Sequence, residues 1–171
     1  VYKRQNKMWI IDNQPNSVSR NYINGGQFQQ RNNITLVENQ KNVGLAAAQN
    51  QGIELALEDG LDWILLLDQD SILDKDFVKN MLNTALEYKK IKKNIGFLTP
   101  RHEFDDGRPS VPTYSKGSFL KPRRYHMSLS EIDDTLLFGM ASGSFIPRQT
   151  LEDVGLMLSL IHISEPTRQK P

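Results

Sequence analysis

The sequence predicts an α/β domain with a mostly parallel sheet flanked by helices. Three observations predict it. Short apolar, β-branched runs recur along the chain, segments of helical spacing separate them, and polar turn formers follow the runs. Met8-Trp9-Ile10-Ile11 is the first run, and Asp12-Asn13-Gln14-Pro15-Asn16-Ser17 stops it, so it reads as a buried strand ending in a polar loop. Residues 19–33 are rich in Asn, Gln and Gly and predict a loop. Ile34-Thr35-Leu36-Val37-Glu38, bounded by Asn, is the second strand.

From Gly44 to Asp59 the spacing turns helical. Leu45, Ala48, Gly52 and Leu55/Ala56 recur at three and four residues, with Gly60 as the terminator. Trp63-Ile64-Leu65-Leu66-Leu67 is continuously apolar, as expected for a strand covered on both faces. Asp74 is a candidate N-cap for a helix with the stripe Phe77/Val78, Met81/Leu82 and Ala85/Leu86. Lys89, Lys90, Lys92 and Lys93 close it, where positive charge complements the helix dipole. Ile95–Thr99 reads as a fourth strand. Gly107, Pro109, Pro112, Gly117 and Pro122 make 101–130 a long irregular stretch. Leu136–Ile146 is a strand segment rich in small residues, and Thr150–Val154 starts another helix.

The chain has 171 residues, enough for one domain or part of one. Its 21 basic residues against 20 acidic ones, net +1, give no footprint for nucleic acid. The absence of cysteine excludes a disulfide framework, a thiolate nucleophile and Cys-ligated zinc. No apolar run approaches the roughly 18 residues of a membrane span, so the default compartment is the cytosol. His102 and His126 fall in the irregular stretch and read as surface residues, and no G-x-S-x-G elbow supports a hydrolase.

Four features carry chemistry. Asp68-Gln69-Asp70-Ser71 directly follows an apolar strand, where open α/β sheets bind ligands. Two carboxylates with one residue between them suit a hard cation such as Mg²⁺ or Mn²⁺, and suit turn and capping chemistry equally. In Asn42-Val43-Gly44-Leu45 a glycine at the helix entrance admits close approach of a ligand, while the alanines after it also fit plain packing. Asn50 fits that helix only if its amide bonds a neighbouring loop. Asp12 ends the first strand, where a carboxylate either accepts from a base or ribose or makes a turn. Gly139–Ser144 leaves room for a ligand or for close packing.

These pieces, IIDNQPNS, ITLVENQKNVGLAAAQNQGIELAL, WILLLDQDS, IGFLTP and GMASGSFIPRQTLEDVG, together resemble the family 2 glycosyltransferases of the GT-A fold. They stand in that family's order and spacing over essentially all of 6–157. The resemblance implies an incomplete GT-A domain and a metal-assisted inverting transfer from a nucleotide-sugar donor to a glycan or lipid-linked acceptor. It places Asp12, Asn13, Asn42, Gly44 and Asp68 on the nucleotide, and Asp68 and Asp70 on Mg²⁺ or Mn²⁺. LLLDQDS after WI looks most like bacterial rhamnosyltransferases that use dTDP-L-rhamnose. The parent enzyme would then work in the cytoplasm, with peripheral association at the inner membrane face. The family's opening strand would precede Asn6. Its catalytic carboxylate belongs in an acidic motif beyond Met157, and Glu152 and Asp153 read as helix-start residues. A nucleotide-sugar-forming nucleotidyltransferase is disfavoured because no Gly-rich, basic phosphate loop follows a strand. The remaining alternative is a non-catalytic nucleotide-binding module.

The ends read differently. Val1-Tyr2-Lys3-Arg4-Gln5, encoded GTG TAT AAG AGA CAG, has the reverse complement CTG TCT CTT ATA CAC, which translates as Leu158-Ser159-Leu160-Ile161-His162. Such an inverted repeat resembles a sequencing-adapter scar, so 1–5 and 158–171 are set outside the domain 6–157, and His162 carries no function. Deleting both ends is expected to leave the thermal midpoint unchanged; a large loss of stability would contradict this.

Overall fold

The computed structural model describes residues 7–14, 33–91, 94–103 and 139–158, and the backbone of 113–118 and 121–125. The chain divides into two compact units, Val1–Ile64 with Leu151–Pro171, and Leu65–Thr150.

In the first unit β1 (Met8–Asp12) and β2 (Ile34–Glu38) run parallel, in register from Met8↔Ile34 to Asp12↔Glu38. Both match the predicted strands, and a parallel pair puts the residues that follow them at the same edge. Helix α1 spans Leu45–Glu58 and buries Ala48, Ile53 and Ala56. It approaches β1 closely at Gly52, where a Cβ would lie 3.5 Å from Ile11 Cγ1. Its C-terminus is a Schellman turn: the Leu61 amide donates to the Ala56 carbonyl at 3.1 Å and the Gly60 amide to Leu57 at 3.0 Å. Gly60 has φ +74°, the left-handed conformation the sequence reserved for it. Lys7, at the start of β1, pairs with Asp59 at this end of α1.

Asn50 faces the loop bond its position demanded. Its Nδ2 donates to the Met157 carbonyl and its Oδ1 accepts the Met157 amide, both at 2.9 Å. Met157 follows the helix α3 (Arg148–Val154), whose Leu151 is buried. Glu152 and Asp153 lie in the last turn of α3, because the helix begins two residues before Thr150. The predicted start at Thr150 made them first-turn residues, and they are not.

Strand β3 (Trp63–Leu65) ends as the second unit begins, and that unit holds β6 (Phe145–Pro147). The predicted strand ran to Leu67. The strand stops at Leu65, although the Leu66 amide still donates to the Ser144 carbonyl at 3.0 Å and its carbonyl accepts Gly143 at 2.7 Å. Gly143 has φ +79°, which turns the chain and shortens the predicted strand 136–146 to its last residues; 136–138 lie outside the described residues. The predicted strand Ile95–Thr99 reduces to one antiparallel bridge, Leu98↔Phe145.

Helix α2 (Phe77–Ile91) starts three residues beyond Asp74, whose carbonyl accepts the Phe77 amide at 3.0 Å. Its predicted stripe divides. Ala85 is buried and Phe77 and Met81 are half-buried, whereas Val78, Leu82 and Leu86 are exposed. Within the predicted irregular stretch the structure forms an antiparallel hairpin, β4 (Thr113–Ser118) and β5 (Lys121–Tyr125). Its register shifts between Ser115 and Ser118, opposite Pro122. A bulge is where a strand tolerates a residue without an amide hydrogen, so the Gly and Pro that read as breakers sit inside a strand pair.

Ile53 is fully buried, the largest such side chain among the described residues. Ile53→Ala should cost about 2–5 kcal/mol through lost burial and the cavity left behind, read as a shift of the denaturant midpoint.

Candidate functional site

The first unit gathers four of the predicted residues, Asp12, Asn13, Asn42 and Gly44. Asp12 ends β1 buried, and its Oδ1 accepts the Gln14 amide at 3.1 Å, an Asx turn that fixes the start of the loop. The carboxamide of Asn13 reaches the entrance of α1. Its Nδ2 donates to Asn42 Oδ1 at 3.1 Å and to the Gly44 carbonyl at 3.3 Å. Its Oδ1 accepts Asn39 Nδ2 at 3.1 Å and the Val43 amide at 3.0 Å. Asn42 Oδ1 also accepts the Gly44 amide at 2.8 Å.

Gly44 has φ 88° and ψ 157°, a backbone region that is essentially glycine-only. It is the N-cap of α1 and supplies no side chain to the helix start. Asn39 and Gln51, which sequence reasoning missed, complete the cluster with a reciprocal amide pair at 2.9 and 3.0 Å. Asn39 follows β2 as Asn13 follows β1. In parallel strands that equivalence was the available signal.

The second unit holds Asp68 and Asp70 on an exposed turn just beyond β3. The Asp68 amide accepts no freedom to drift, since it donates to Ser142 Oγ at 3.1 Å. Ser71 Oγ lies 2.6 Å from the same hydroxyl, and the Ser71 amide donates to the Asp68 carbonyl at 3.2 Å. Ser142, buried, thus pins both ends of the Asp-x-Asp turn. It lies in the segment whose glycines drew attention, and those glycines serve close packing. A Cβ on Gly139 would meet Phe97 at 2.8 Å, and one on Gly143 would meet Pro100 at 2.7 Å.

Among the described residues neither Asp68 nor Asp70 is ion-paired with Lys or Arg, and no group of three His, Cys, Asp or Glu side chains is placed to hold a metal. Two exposed carboxylates, with no further acidic or imidazole ligand beside them among the described residues, fit Mg²⁺ or Mn²⁺ of the kind that takes its other oxygens from water and a substrate diphosphate.

His102 departs from its surface reading, and His126 lies outside the described residues. Burial holds the imidazole below its ordinary value of 6.5, against the opposing pull of the Asp68 charge and a hydrogen bond to the Ser142 backbone. Nε2 is buried without a hydrogen-bond partner among the described residues, so a proton there would go unsatisfied. The unfolded chain therefore takes up the proton first as pH falls, and stability present above 6.5 is lost below it. From about pH 7.5 to about pH 5 the urea midpoint should fall, and His102→Gln should flatten that slope.

No curated protein and no solved structure matches the chain. The family model described as Glycosyl transferase family 2 matches residues 3–154. That match spans both clusters, the amide-held entrance of α1 and the serine-pinned Asp-x-Asp turn, and the α/β elements with their parallel pair are consistent with a GT-A fold. The chain belongs to glycosyl transferase family 2, whose enzymes transfer sugars from nucleotide-sugar donors to acceptors.

Proposed function

We propose that the parent enzyme transfers L-rhamnose from dTDP-L-rhamnose to a glycan or lipid-linked acceptor in polysaccharide synthesis, with inversion at the anomeric carbon. The wording WILLLDQDS supports the choice of donor. The observation that carries the metal-assisted reading is the Asp68-Gln69-Asp70 turn, whose backbone is fixed by Ser142 while both carboxylates stay exposed and unpaired with any described Lys or Arg.

In this reading Asp68 and Asp70 hold Mg²⁺ or Mn²⁺, and Asp68 also faces the diphosphate. When bound, the ion neutralises the charge that builds on the departing nucleoside diphosphate. Asp12, Asn42 and Gly44 serve the nucleoside side, Asp12 as an acceptor for base or ribose donors and Gly44 by admitting close backbone approach. Asn13 belongs to the same cluster. The acceptor hydroxyl loses its proton to a carboxylate that we place beyond Met157, a step typically worth about 10²–10⁴ in rate. Among the described residues no helix is long and apolar enough to cross a membrane, and we place the parent at the inner membrane face through peripheral contact.

Calorimetry with dTDP tests the metal role. Mn²⁺ should tighten dTDP binding to the 171-residue chain by about tenfold or more, and Asp70→Ala should abolish that gain. Equal affinity with and without the ion would reject the assignment. A turn that served only as a cap would instead show its loss in the thermal midpoint.

A further inference from the structure

The Asn13 side chain makes four hydrogen bonds. A carboxamide offers two donor hydrogens and two acceptor lone pairs, and here all four are engaged by the chain itself. Its orientation is fixed by chemistry, because the Val43 amide can only donate and the Gly44 carbonyl can only accept. Rotating the amide by half a turn would set donor against donor and acceptor against acceptor.

Three of these four partners are the consecutive residues 42–44. Val43 and Gly44 are held through their backbones, Asn42 through its side chain, and Asn39 ties the group to Gln51 on α1. The loop they fix carries a glycine in a conformation that costs any other residue about 1–3 kcal/mol, and its one internal bond in this cluster, Gly44 amide to Asn42 Oδ1, ends on the same carboxamide that Asn13 holds. We infer that Asn13 is a positioning residue for nucleotide binding. It sets the shape of the Asn42-Val43-Gly44 entrance and makes no polar contact with the ligand. This inference rests on the nucleotide-side reading of that entrance.

Asn13→Asp tests it with almost no change of volume. The aspartate keeps an acceptor toward Val43 and Asn39 but turns a carboxylate oxygen on Asn42 Oδ1 and the Gly44 carbonyl. Two readouts are taken on the 171-residue chain. Amide hydrogen exchange at Val43 and Gly44 without ligand should accelerate by about tenfold while Ile53 stays protected. The dissociation constant for dTDP with Mn²⁺ should rise by about tenfold in the same variant. Asn13→Ala repeats both measurements without the added charge, in case the aspartate does not fold.

Weaker binding with unchanged exchange would mean direct contact with the ligand and would overturn the inference. Faster exchange with unchanged affinity would make Asn13 purely structural and would overturn it equally. If the unaltered chain binds neither dTDP nor UDP, the nucleotide reading itself has failed and this role falls with it. Exchange at Val43 and Gly44 then shows separately that Asn13 holds the loop.

Discussion

The amides of Asn13, Asn39 and Gln51 join the ends of β1 and β2 to the entrance and second turn of α1. Apolar packing between helix and sheet sets their distance but allows sliding, whereas a reciprocal amide pair does not. Neutral amides suit the place. A charged side chain in place of any of them would carry a larger desolvation cost, one that the neighbouring Asp12 carboxylate offsets in part for itself by accepting the Gln14 amide. The three amides carry no net charge and do not titrate in any ordinary range. Asn39 is buried, and its amide left without partners would cost about 1–3 kcal/mol.

The second unit solves a similar problem with a hydroxyl. Asp68 and Asp70 gain by exposure, yet an exposed turn wanders unless its backbone is held from below. Ser142 does this from a buried position, with one oxygen meeting both the Asp68 amide and the Ser71 hydroxyl. Gly143, next to it, lets the chain turn tightly against Pro100. The small residues of Gly139–Ser144 are therefore explained by what packs on them.

Much of this was legible in the residues. The strands at Met8 and Ile34, the helix from Leu45 with its Gly60 stop, and the carboxylates after Trp63–Leu65 follow from local patterns of period, turn chemistry and capping. Asn50 was legible as a mismatch, a polar side chain that needed a partner. What escaped depends on contacts distant in sequence. Asn39 and Gln51 mean nothing until parallel pairing brings the strand ends together. Ser142 lies 74 positions from Asp68 in the chain. His102 reads as surface in an irregular stretch, and only packing reveals that its Nε2 is enclosed. The hairpin at Thr113–Tyr125 was hidden because breakers were counted without a bulge to hold them.

The bond between Asn50 and Met157 is made to main-chain atoms alone, one donor and one acceptor, as a neighbouring strand would make it. A side chain here acts as a single rung of sheet. Its recognition ignores what residue 157 is and reads only where its backbone runs. The bond therefore tolerates at position 157 any residue that keeps its amide hydrogen, whereas at position 50 it needs a side-chain amide of this reach. Proline at 157 marks the boundary of that freedom, since it would silence half of the rung.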